Sequence, residues 1–179
     1  MAIRELVELA ARIAELERRF SGMMRHGTVA EVDAEAQRIR LDFGPAHGVS
    51  GRFLSPWIPY AQFSGALRVH TPPSIGQQFT AMSPNGDFQQ AVAVPLTHSN
   101  ANPSPSTAAD QNMLRFGDVT VTLAEEYLEI AVGGVRFKVD GTNVEITGGQ
   151  VSHNGKNIGD SHIHSGVRSG PSVTGAPAN

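Results

Sequence analysis

Close to the C-terminus the run Asp160-Ser161-His162-Ile163-His164-Ser165-Gly166 holds the side chains best suited to chemistry. Residues two apart on an extended chain face the same side, so His162 and His164 present two imidazoles together. Two nitrogens bind a transition metal but fill only part of its shell. Three copies meeting at this level would bring six neutral nitrogens, a set that suits an octahedral first-row ion such as Fe(II), with nickel or cobalt next. It suits poorly a four-coordinate structural zinc, or calcium and magnesium, which prefer oxygen. A shell completed by protein leaves no position for substrate, so such an ion would tie chain ends together rather than catalyse. The competing reading is a metalloenzyme in which His162 and His164 of one chain join Asp160, the nearest carboxylate, around an open coordination site.

The elements before the pair must decide between these. Apolar residues alternate in successive short runs: Val119, Val121, Leu123; Leu128, Ile130, Val132; Val135, Phe137, Val139; Val144, Ile146; and Val151. Each run reads as a strand with one apolar face. Glu125-Glu126, Gly133-Gly134, Asp140-Gly141 and Gly148-Gly149 supply the turns. A lone meander of this size would leave that face bare, with no helix in the segment to cover it. Three copies coiled about one axis would cover one another, as repeats do in solenoids. This arrangement is preferred to the meander, and it sets the histidines around the axis.

Ahead of this segment, Leu6, Leu9, Ile13, Leu16 and Phe20 form a heptad seam over residues 2–20. So short a helix is marginal alone and needs either its own domain or a short coiled coil. From Met24 to Pro95 the pattern turns to β-like runs, at Gly27–Val32, Arg38–Phe43, Gln78–Met82 and Ala91–Val94, broken by turn-rich pieces such as Ser83-Pro84-Asn85-Gly86-Asp87. About five such strands suit a small closed barrel of the OB type. Residues 96–112 are polar and aperiodic, and read as a linker. The stretch Gly166–Pro177 has too many breakers for strand or helix, and is either a loose tail or a cap.

The 179 residues carry a formal net charge of -3, with 17% charged and 6% aromatic residues, a poor basis for gripping nucleic acid. Cysteine is absent, which excludes disulfides and thiolate metal sites. The N-terminus is too charged for a secretory signal, no run is apolar enough for a membrane-spanning helix, and a soluble product is expected. No Ser-His-Asp order, phosphate-cradling glycine motif or His-Glu-x-x-His helix is visible, and His26, His47, His70, His98 and His153 are scattered.

The ordered set of motifs resembles a known family. Ser55-Pro56-Trp57-Ile58-Pro59-Tyr60, then Pro73-Ser74-Ile75-Gly76-Gln77-Gln78 and Ser83–Asp87, are similar to the barrel domain of the baseplate assembly protein V family, the central spike of contractile-tailed bacteriophages. Ser99-Asn100-Ala101-Asn102-Pro103 resembles its barrel exit, and Ser161–His164 with Gly166-Val167 and Thr174-Gly175-Ala176-Pro177 its tip. The resemblance implies a mainly β homotrimer: an N-terminal helix (1–23), an OB-fold domain (24–95), a linker (96–112), an intertwined β-helix forming a triangular prism (113–159), and a metal-bound tip (160–179). It implies one Fe2+ per trimer held by His162 and His164 of all three chains; chloride and calcium ions also occur inside some spikes of the family. The implied partners are the baseplate hub, the tail tube and, transiently, the host outer membrane, breached as the tail contracts to deliver DNA. The implied product is non-enzymatic, without a small-molecule substrate or nucleic-acid recognition. It is made in the host cytoplasm and carried at the distal tip of the virion tail. The alternative is an OB-fold ligand-binding module on a trimeric β-stalk, which requires ligand retention by residues 24–95 alone.

Overall fold

The structure is a computed structural model that describes residues 2–45, 51–166 and 170. They fall into two compact units, Met1–Ser104 and Pro105–Asn179, both built mainly of antiparallel strands.

In the first unit, α1 runs from Ala2 to Met23, three residues past the expected seam. Its Ala, Leu, Glu and Arg residues are good helix formers. Glu15 accepts from Arg18 at 2.8 Å and from Arg19 at 2.7 Å, and these two bonds hold its carboxyl at about 2 instead of 4.5. The C-terminal turn rests on the loop at Pro84–Gly86. A Cβ on Gly86, whose φ is +73°, would lie 2.9 Å from the Arg19 carbonyl oxygen, so only glycine allows this approach. The apolar seam finds no cover on its own unit: Leu6, Leu9, Ile13, Leu16 and Phe20 are all exposed. Among the described residues no helix is long and apolar enough to cross a membrane, which says nothing of strands.

Six strands follow: β1 (Met24–Asp33), β2 (Arg38–Pro45), β3 (Arg52–Leu54), β4 (Ile58–Pro59), β5 (Gln78–Met82) and β6 (Val92–Pro95). The sheet order is β3-β2-β1-β5-β6, with β4 also paired to β2. Alternate residues point inward and build the core from Val29, Ile39, Leu41, Ile58, Phe79, Ala81 and Ala93. The expected closed barrel is not formed as a continuous ladder. Between β4 and β6 the described residues hold one parallel bridge, Tyr60 to Ala93, with Ala61 N–H donating to the Ala93 carbonyl at 2.8 Å. Proline explains the gap: Pro56, Pro59, Pro72 and Pro73 have no N–H to offer a ladder, and β4 stops after two residues.

Ser55 fastens the β2 edge from inside. Its buried hydroxyl accepts from Leu41 N–H at 2.8 Å and donates to the Pro56 carbonyl at 2.7 Å, while its own N–H donates to the Leu41 carbonyl at 2.8 Å. Ser55→Ala leaves a buried amide unpaired and is expected to cost about 1–3 kcal/mol. A lower denaturant midpoint for the first unit, with an unchanged slope, is the measurement that checks it.

In the second unit, β7 (Gln111–Phe116), β8 (Val119–Ala124), β9 (Tyr127–Val132), β10 (Val135–Asp140) and β11 (Val144–Thr147) pair in sequence order, each antiparallel to the last. Every turn between β8 and β11, and the Gly148-Gly149 break after β11, fall where the sequence placed them. β7 had not been foreseen, and it takes Gln111 and Asn112 from the expected linker. Near the start of that linker, Asn102 is tied back, its side-chain amide donating to the Gly76 carbonyl at 3.2 Å. Within one chain the strands thus form a meander. A small hairpin of β12 (Ser152–His153) and β13 (Lys156–Asn157) follows.

Candidate functional site

The histidine pair is positioned by the β12–β13 hairpin. Its two-residue turn, Asn154-Gly155, has φ of +48° and +78°, the left-handed pair that matches strand twist. After the hairpin Ile158 N–H donates to the Val151 carbonyl at 2.8 Å. The Asn157 side chain accepts from Gly159 N–H at 2.8 Å and donates to the Ser161 hydroxyl at 2.9 Å. This clamp turns the chain so that His162 N–H reaches the Gly159 carbonyl at 3.2 Å, and His162 Nδ1 donates to the same oxygen. A carbonyl only accepts, so Nδ1 carries the proton and Nε2 is the free ligand atom.

The two rings meet as the spacing predicted. His162 Nε2 and His164 Nε2 are 3.2 Å apart, and the rings lie edge to face at 83°. Two nitrogens each about 2.1 Å from one ion are about 3.0 Å apart at a right angle and about 3.4 Å apart at a tetrahedral angle. The observed separation falls in that range, and both rings are exposed. In one chain no further ligand converges: among the described residues no group of three or more His, Asp or Glu could hold a metal. Asp160 is thus not gathered with the pair into a group of three among the described residues.

The other histidines have local roles or stand apart. His26 Nδ1 bonds the Thr80 hydroxyl at 2.8 Å across β1 and β5, and His153 Nε2 meets the Asn154 amide at 3.2 Å. His47 lies outside the described residues, as does the expected cap beyond Gly166 apart from Gly170.

The meander places the foreseen apolar residues from Val119 to Ile146 on one face. In register across the strands run Phe116, Val119, Val132 and Val135; then Leu114, Val121, Ile130, Phe137 and Ile146; then Leu123, Leu128, Val139 and Val144. The opposite face carries Arg115, Thr120, Thr122, Glu129, Arg136, Lys138 and Glu145. Yet the two buried among the described residues of this unit, Thr122 and Ala131, are on the polar face. There Arg136 bonds Glu129 at 2.8 Å, and Lys138 sits 4.9 Å above the Tyr127 ring. The apolar face stays open, with Phe116 87% and Leu114 70% exposed. Such a face does no chemistry; it requires covering.

One cluster escaped the sequence reading. In the first unit Phe43 packs beside Phe53 and Phe88, with the Arg25 guanidinium 5.1 Å from the Phe53 ring centre. Neighbouring arginines are engaged, Arg52 with Asp42 at 2.7 Å and Arg40 with Glu31 at 3.2 Å. The Gly44 N–H, and then Arg52, hold the Asp42 carboxyl below the usual carboxylate range. The residues lie far apart in sequence, so no local spacing signalled them.

The chain matches no protein-family model. Compared with curated proteins, it is 33% identical over 127 residues to the Spike protein of Escherichia phage P2. The aligned stretch is 70% of this chain and 57% of that protein, so the chain spans just over half the length of the curated relative it matches.

Proposed function

We propose that this chain is a phage spike protein, a structural component of the virion tail baseplate whose trimer pierces the host outer membrane as the tail contracts and DNA is delivered; its similarity to the Spike protein of Escherichia phage P2 supports the reading. The observation that carries this reading is the open apolar face of the second unit. A strand face of Val, Leu, Ile and Phe is stable in water only when covered, and each such side chain contributes about 1.5–3 kcal/mol on full burial. Three copies winding the meander around one axis would turn each face toward the other two and pair the bare edges of β7 and β11. The result would be a β-prism with a polar exterior, held without disulfides.

At its end, His162 and His164 from each of three chains would hold one iron ion. The donor set supports this, since each chain offers Nε2 atoms 3.2 Å apart and His162 has its tautomer fixed by Gly159. When bound, the ion supplies a structural cross-link among three chain ends. In the first unit, the Tyr60–Ala93 bridge would complete an OB-type barrel seated on the baseplate hub beneath the tail tube.

The test is sedimentation of the purified chain with elemental analysis of the same sample. The expected mass is three times the 19.0 kDa of one chain, with one iron per three chains retained through mild chelation. A well-folded single chain free of transition metal overturns the reading, and one labile ion per chain points instead to an enzyme.

A further inference from the structure

We infer that α1 is a second self-association element, closing against the same helix of two other copies as a parallel coiled coil whose register is set by Arg12 of one copy and Glu17 of the next. The copy number rests on the threefold reading above; the seam and its charges are independent of it.

The helix is 22 residues long, yet most of its apolar stripe is uncovered: Leu6 is 64% exposed, Leu16 63% and Phe20 79%. A free amphipathic helix of this length is marginal in water. In the heptad frame Leu6, Ile13 and Phe20 occupy one seam position, and Leu9, Leu16 and Met23 the other. Arg12 and Glu17 then flank the seam on opposite sides, five residues apart. In a parallel coiled coil those two flanking positions of adjacent helices face each other. Here they carry opposite charge, so the helix is complementary to a copy of itself. Cyclic symmetry makes helices along the axis parallel, as this pairing requires.

The charges already used within the helix sharpen the point. Glu15 engages Arg18 and Arg19, whereas Arg12 and Glu17 have no ion-pair partner among the described residues. At the C-terminal end of the seam, Leu16, Phe20 and Met23 with Asn85 line an open hollow of about 410 Å³.

The chain has no cysteine, which makes a positional test simple. Leu9→Cys and Leu16→Cys, each in the full chain, place a thiol in the seam, and Ala11→Cys places one on the outer face as control. Under mild oxidation the seam variants are expected to give covalent pairs of chains at yields independent of protein concentration, and the control none. Arg12→Glu, and separately Glu17→Arg, in the Leu16→Cys background should lower that yield several-fold at low salt, and the combined exchange should restore it. A chain that sediments as a trimer but gives no seam cross-links overturns this inference alone and leaves the spike reading standing; the stripe then docks on another protein of the particle. Sedimentation as a single chain overturns the threefold reading and this inference with it. Cross-links unaffected by either charge reversal overturn the assigned register.

Discussion

Ile130→Asp is expected to convert the trimer into single chains. Ile130 lies on β9, the middle strand of the meander, in register between Val121 and Phe137. In one chain it is 39% exposed, so a carboxylate there meets water and disturbs little. In a threefold assembly the same position faces the axis, and three copies would bring three carboxylates into one apolar core. Each would lose hydration worth several kcal/mol without a cation to pair with, in addition to the lost apolar burial. Thr147→Asp is the matching control, since Thr147 is exposed on the polar face beside Arg136. Sedimentation should show the Ile130 variant at the mass of one chain and the Thr147 variant unchanged. Equal assembly of the two would mean that the apolar face is not what joins the copies.

The strands around Ile130 could be read from sequence because their signals agree. Alternation of period two from Val119 to Ile146 and paired turn residues after each run leave one register, and a shift by one residue would put every Val and Ile on the wrong face. β7 was missed because its first residues, Gln111 and Asn112, extend a polar stretch and only Leu114 and Phe116 are left to alternate before the turn. Its true marker was the Gly117-Asp118 turn. The β12–β13 hairpin had the strongest two-residue turn signal in the chain, Asn154-Gly155, but its strands are two residues long with no apolar alternation. In the first unit the inward pattern of Ile39, Leu41, Phe79 and Ala81 announces a curved sheet. Among the described residues one bridge, Tyr60 to Ala93, joins the ends of that sheet, and no local pattern encodes it.

The histidine site divides the same way. Spacing alone predicted that His162 and His164 share a side, because that follows from the geometry of any extended chain. What holds them there was not legible: the Asn157 clamp and the Gly159 carbonyl depend on a loop whose path is set by the hairpin before it. The fold of one chain also explains why the site reads as incomplete. In the proposed threefold assembly, the two nitrogens and the open apolar face would both be completed by the same operation of symmetry.

Removing the metal ligands should separate the two contributions to assembly. His162→Ala with His164→Ala is expected to abolish bound iron, from one ion per three chains to none, while the sedimenting mass stays that of the trimer. The ion can stabilise only what it binds: at a free concentration a hundred times its dissociation constant the linkage is worth about 2.7 kcal/mol. The apolar face offers thirteen side chains per copy, each contributing about 1.5–3 kcal/mol on full burial, so the face would outweigh the ion. The loss should therefore appear as a lower melting temperature and faster hydrogen exchange around Asn157 to His164, with the strands from β7 to β11 still protected. His162→Ala alone leaves each chain one nitrogen at the apex and should weaken iron retention under chelator with a smaller thermal shift. If the double variant instead sediments as single chains, the ion and not the apolar face is what holds the copies together. Ile130→Asp would then be expected to leave the metal-bound trimer intact.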